Sequence, residues 1–79
     1  MKLTSATYLN DYSVELFFSD GERRTVDFRS FLSGASNPMT KAFLDLSKFK
    51  NFEVTHGYLS WNNGEMDFSA DSLYSWSNQ

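Results

Sequence analysis

Apolar and polar residues alternate along several short stretches of this chain, and the alternation predicts most of its elements. Over residues 13–18, Val14, Leu16 and Phe18 fall on one face; Ser19-Asp20-Gly21-Glu22 then supplies turn chemistry, and over residues 24–28 Val26 and Phe28 share a face again. This is the pattern of a hairpin. Residues 2–10 alternate weakly and read as a first strand, ended by the turn-forming pair Asn10-Asp11. A two-residue Asp20-Gly21 loop would set the apolar face of one strand against the polar face of the next, so parity requires an odd loop of three or five residues. The expected register is Leu16 opposite Val26 and Val14 opposite Phe28, with a bulge near Gly21.

Residues 28–36 read as a transition segment ending in the loop Ser33-Gly34-Ala35-Ser36. A helix over residues 38–46 follows, with Asn37 as N-cap, Pro38 in the first helical position, and Met39, Ala42, Phe43 and Leu46 at helical spacing. Residues 52–55 and 58–61 flank His56-Gly57 as a second hairpin, with Phe52, Val54, Leu59 and Trp61 facing inward. Asn62-Asn63-Gly64 turns the chain, and Ser69 caps a short helix carrying Leu73, Tyr74 and Trp76, with Asp71 well placed in its first turn. The expectation is a single α+β domain over residues 1–79. It would be a mostly antiparallel five-stranded sheet with two helices on one face, in the order β-β-β-α-β-β-α.

Composition narrows the picture. At 79 residues there is room for one core. The chain has eight Phe, four Tyr, two Trp and no Ile, so that core must be built from rings and Leu. Up to Ser60 the seven Lys and Arg are balanced by acids, whereas Glu65, Asp67 and Asp71 follow without a base; the net charge of -3 therefore sits in the last quarter, where it would repel phosphate. The absence of cysteine removes disulfides and thiolate sites, and points to a cytoplasmic, soluble protein. No apolar run approaches the ~20 residues of a membrane span, and the N-terminus lacks the apolar stretch of a signal peptide.

The run Val14-Glu15-Leu16-Phe17-Phe18-Ser19-Asp20-Gly21-Glu22, then Val26-Asp27-Phe28, Gly57-Tyr58-Leu59-Ser60-Trp61-Asn62-Asn63-Gly64 and Asp67-Phe68-Ser69-Ala70-Asp71-Ser72-Leu73-Tyr74, resembles the bacterial domain of unknown function 2442. Its most specific part is the closing pattern of Trp, a turn ending in Gly, an Asp, and a Leu-Tyr pair. The resemblance implies an antiparallel sheet with helices that occurs alone, fused to a helix-turn-helix domain, or encoded beside another small protein in an antitoxin-like arrangement. It implies no activity. Glu65-Met66 is inserted between Gly64 and Asp67 relative to the family pattern, and the chain ends soon after Tyr74, so no DNA-binding appendage is expected.

Candidate chemistry is sparse. His56, the one histidine, falls at a hairpin tip with no nucleophile beside it in sequence, so no catalytic residue is assigned and no enzyme is expected. A concave pocket bringing His56 near two acids would favour an enzyme. Glu65, Asp67 and Asp71 lack the spacing of a calcium loop, and the four glycines stand singly, so neither a metal nor a phosphate cofactor is expected. The leading reading is a non-enzymatic protein-interaction module, antitoxin-like, with a protein partner or a second copy of itself. Its candidate contact residues are Trp61, Asn63, Asp67, Tyr74 and Trp76, large rings and polar groups gathered near the C-terminus. Trp61 competes for a place in the core, and Trp76 either docks on the sheet or awaits a partner. The alternative is a nucleic-acid-binding accessory protein using Arg23, Arg24 and Arg29, disfavoured for the isolated chain by its negative charge. The Thr- and Ser-rich first strand, if at a sheet edge, is a further route to pairing.

Overall fold

A computed structural model describes residues 1–62 and 64–77. Strands β1 (Leu3–Asn10), β2 (Ser13–Phe18) and β3 (Arg23–Asp27) form one antiparallel sheet in that order. Strands β4 (Phe52–Thr55), β5 (Tyr58–Trp61) and β6 (Met66–Phe68) form a second. Helices α1 (Arg29–Ser33), α2 (Pro38–Lys41) and α3 (Leu46–Phe49) connect the sheets, and α4 (Ala70–Trp76) closes the described chain. The single five-stranded sheet with two helices is thus corrected to two three-stranded sheets and four helices.

Each difference has a local cause. Strand β6 pairs Asp67 with Ser60 and Met66 with Trp61, but its three residues hold too few alternations to be read against the turn before it. The expected nine-residue helix is broken at Asp45, whose backbone is extended (ψ 112°). Its carboxylate accepts from the Ser47 hydroxyl (2.7 Å) and amide (3.0 Å), restarting the helix as α3. A side chain that bonds its own backbone competes with helix continuation. These bonds, the hydroxyl's first, hold the Asp45 carboxyl below its ordinary range. Between the two pieces, residues 42–44 tighten into a 3-10 turn that buries Phe43 and leaves Met39 exposed. Asn37 does cap α2, its side chain accepting from the Met39 amide, with Pro38 at the first position. Residues 29–33, expected as irregular, form α1 and bury Leu32.

The first hairpin has an odd loop, as parity demanded, but its register is two residues tighter than expected: Val14 faces Val26 and Leu16 faces Arg24. Ser19-Asp20-Gly21 closes it, with Gly21 at φ 89° and the Phe18 amide donating to the Glu22 carbonyl. In the second hairpin Phe52 faces Trp61 and Val54 faces Leu59, the inward set expected. Its two loop residues, His56 and Gly57, both take positive φ (53° and 81°), the geometry of a tight hairpin turn whose twist suits its strands.

The sheets meet over a shared aromatic interior. Phe28 stands at 5.1–5.7 Å from four rings, edge to face with Trp61 and Trp76 and tilted against Phe49 and Phe68. Trp61 is fully buried and its Nε1–H donates to the Phe49 carbonyl at 2.7 Å, so its one polar atom is satisfied in the core. A backbone bond from the Leu3 amide to the Gly57 carbonyl (2.9 Å) ties the start of β1 to the turn of the second sheet.

Candidate functional site

One face of the second sheet lines the interior; the other is open. Alternation in β4 and β5 sends Phe52, Val54, Leu59 and Trp61 inward, and therefore turns Glu53, Thr55, Tyr58 and Ser60 outward. Adding β6 places Asp67 beside Ser60, so Glu53, Ser60 and Asp67 form a row across three strands. At the usual strand spacing the two carboxylates stand about 10 Å apart with a serine between them. Ser60 is small and sits on the central strand, and it is the floor of a groove of about 480 Å³ lined by Glu53, Thr55, His56, Tyr58, Ser60, Gly64 and Asp67. Tyr58 is 48% exposed on the groove's flank.

His56 and two acids line the same groove, the circumstance that would favour an enzyme. Their order along the strands keeps them apart. The Thr55–Tyr58 pair stands between His56 at the turn and the Glu53–Ser60–Asp67 row, which lies about 7 Å farther along. Among the described residues no three histidine or acidic side chains come together closely enough to share a metal ion. The arrangement suits a ligand laid along the sheet, with an aromatic ring at one end and separated negative charges at the other.

The residues singled out from sequence are dispersed. Trp61 is interior. Asn63 lies outside the described residues. Asp67 is in the groove. Tyr74 packs edge-on against Phe18 at 5.1 Å, with the Arg24 guanidinium 4.0 Å from its ring centre. Trp76 docks on Phe28, Phe31 and Phe68 and is half-buried, so it anchors α4. The three arginines do not form one arm either. Arg23 and Arg24 are neighbours on a strand and so face opposite sides of the sheet, Arg23 toward Glu15 (3.6 Å) and Arg24 toward Tyr74. Arg29, at the start of α1, pairs with Asp11 (3.5 Å) over the Tyr12 ring. Glu53, Tyr58 and Ser60 were missed as site residues, although the alternation of the second hairpin already placed them on its outer face; the missing datum was β6.

The sequence profile of the family described as "Protein of unknown function (DUF2442)" matches residues 3–79. The chain belongs to this family. Among solved structures, the family fold is shared with the crystal structure of the "Putative DNA Binding Protein NE0471" from Nitrosomonas europaea ATCC 19718. That structure superposes with a TM-score of 0.79 at 28% identity, over 96% of this chain and 48% of the other. This chain therefore spans about half the length of that relative. Among curated proteins there is no match. No helix among the described residues is long and apolar enough to cross a membrane.

Proposed function

We propose that this member of the family is a binding module, without catalysis of its own, that docks a basic segment of a partner protein on the outer face of its second sheet. The observation that carries this reading is the Glu53–Ser60–Asp67 row running across a groove beside the exposed ring of Tyr58. Separated carboxylates accept charge-assisted hydrogen bonds from Arg or Lys, and a tyrosine face attracts the same cations. A cytoplasmic setting and an antitoxin-like pairing with a small basic protein encoded alongside are the narrower form of the proposal.

A second reading, nucleic-acid binding, is favoured by the name of the Nitrosomonas relative. As read from the sequence it runs through Arg23, Arg24 and Arg29, which do not share one face: Arg23 and Arg24 lie on opposite sides of their sheet and Arg29 starts α1. Calorimetric titration separates the two, using a short Arg- and Lys-rich peptide and a short DNA duplex at low and moderate salt. The proposal expects peptide binding that the double variant Glu53→Gln, Asp67→Asn weakens by about tenfold or more. Duplex binding lost on replacing Arg23 and Arg29, with the peptide inert, would transfer the assignment to nucleic acid.

A further inference from the structure

The outer edge of β3 is open and self-complementary. The two sheets have four edge strands, and three of them are blunted. Strand β1 carries register irregularities near both ends, and its first amide is taken by Gly57. Strands β4 and β6 have only four and three residues. Strand β3 has five and pairs with β2 without a shift. Natural edges are protected by bulges, shortness or cover. Among the described residues, no other strand pairs with β3 on its outer side.

Hydrogen-bond parity fixes which groups face outward. The Phe18 amide donates to the Glu22 carbonyl, and the Phe28 amide to the Tyr12 carbonyl. In an antiparallel ladder bonded pairs alternate, so Arg24 and Val26 bond to β2. Arg23, Thr25 and Asp27 then turn their N–H and C=O groups away from it. All three side chains are exposed. Among the described residues, the C-terminal end of α4 flanks this edge and leaves a hollow of about 190 Å³ lined by Thr25, Val26, Asp27, Trp76 and Ser77.

We infer that β3 pairs with β3 of a second copy of this chain, antiparallel about a two-fold axis through Thr25, to make one continuous six-stranded sheet. In this register Thr25 faces its own counterpart, and Arg23 of each copy faces Asp27 of the other. All three outward residues are bonded, giving about six backbone hydrogen bonds. Opposite charges on directly paired positions stabilise a sheet, and like charges oppose it. The neighbouring registers are worse. Sliding the axis to Arg24 sets two arginines against each other, and sliding it to Val26 leaves Arg23 without a partner within β3. Edge charges ordinarily prevent self-pairing; here their order, a base at position 23 and an acid at 27, makes the edge its own complement.

Sedimentation equilibrium from about 10 µM to about 1 mM tests this, the upper limit reaching weak association. The parent chain is expected to dimerise. Thr25→Pro removes an outward N–H that bonds nothing within the sheet, so the variant should melt as a folded protein while its dimer dissociation constant rises about tenfold or more. Arg23→Glu and Asp27→Lys should each be monomeric, because each homodimer would hold two like-charged pairs. Mixed one to one they should associate, because the mixed dimer sets the introduced carboxylate against the introduced ammonium and keeps one parental Arg23–Asp27 pair between the copies. A parent chain that stays monomeric to about 1 mM would overturn the inference, as would a dimer indifferent to Thr25→Pro and to both charge reversals.

Discussion

At the scale of single residues, two positions bear directly on what the rings and acids of this chain are for. Trp61 has the composition of a binding hot spot, yet it lies wholly inside with its indole N–H committed to the Phe49 carbonyl. Trp61→Phe leaves that carbonyl without its donor and the core short of volume, and should cost about 2–4 kcal/mol in urea-unfolding curves. A loss under about 1 kcal/mol would mean that the interior is not organised around this ring. Asp45 predicts the acid limb. Its ionised form receives the Ser47 hydroxyl and amide, so its folded pKa lies below the unfolded value near 3.8. Its contribution is therefore complete above that value and is lost as pH falls through the lower, folded one. Asp45→Asn keeps a capping oxygen but cannot ionise, so its stability difference from the parent should shrink toward zero as pH falls. A difference unchanged across the acid range would contradict the capping role.

Among the elements, those whose patterns run long enough are legible in the sequence. Strand β2 shows three consecutive alternations, α2 announces itself by Asn37 and Pro38, and His56-Gly57 fixes the pairing of Phe52 with Trp61. Strand β6 is illegible because its pairing partner, not its three residues, makes it a strand. Splitting of the expected helix at Asp45 turns on a competition between two good N-caps, which spacing of apolar residues does not reveal. That the strands divide into two sheets is likewise a long-range fact, and the sheets are tied to each other where Lys2 closely approaches Gly57. A Cβ on Gly57 would stand 2.7 Å from the Lys2 Cβ, whereas one on Gly21, also at positive φ, would meet open space. Gly57→Ala should therefore destabilise the protein by about 1 kcal/mol or more beyond Gly21→Ala, the left-handed penalty of about 1–2 kcal/mol being common to both. Equal losses in thermal melts would show that β1 and the second hairpin are not joined through this contact.

For the whole molecule, the candidate site was half legible. Sequence alternation already placed Glu53 and Ser60 on one face, and the acidic bias toward the C-terminus included Asp67, but only the folded arrangement sets these three in a row. The same arrangement withdraws Trp61 into the interior against Phe28 and packs the half-buried Tyr74 and Trp76 on Phe18 and Phe28. The proposed binding face is a polar, acidic sheet face with one exposed tyrosine, on the sheet that does not carry the β3 edge. The most direct test is a two-dimensional amide NMR titration of the intact chain with a basic peptide. Shifts should concentrate at Glu53, Thr55, Tyr58, Ser60 and Asp67 and leave β2 and β3 unmoved. Shifts confined to the first sheet, or none in the second at saturating peptide, would contradict the assignment of this groove as the binding face.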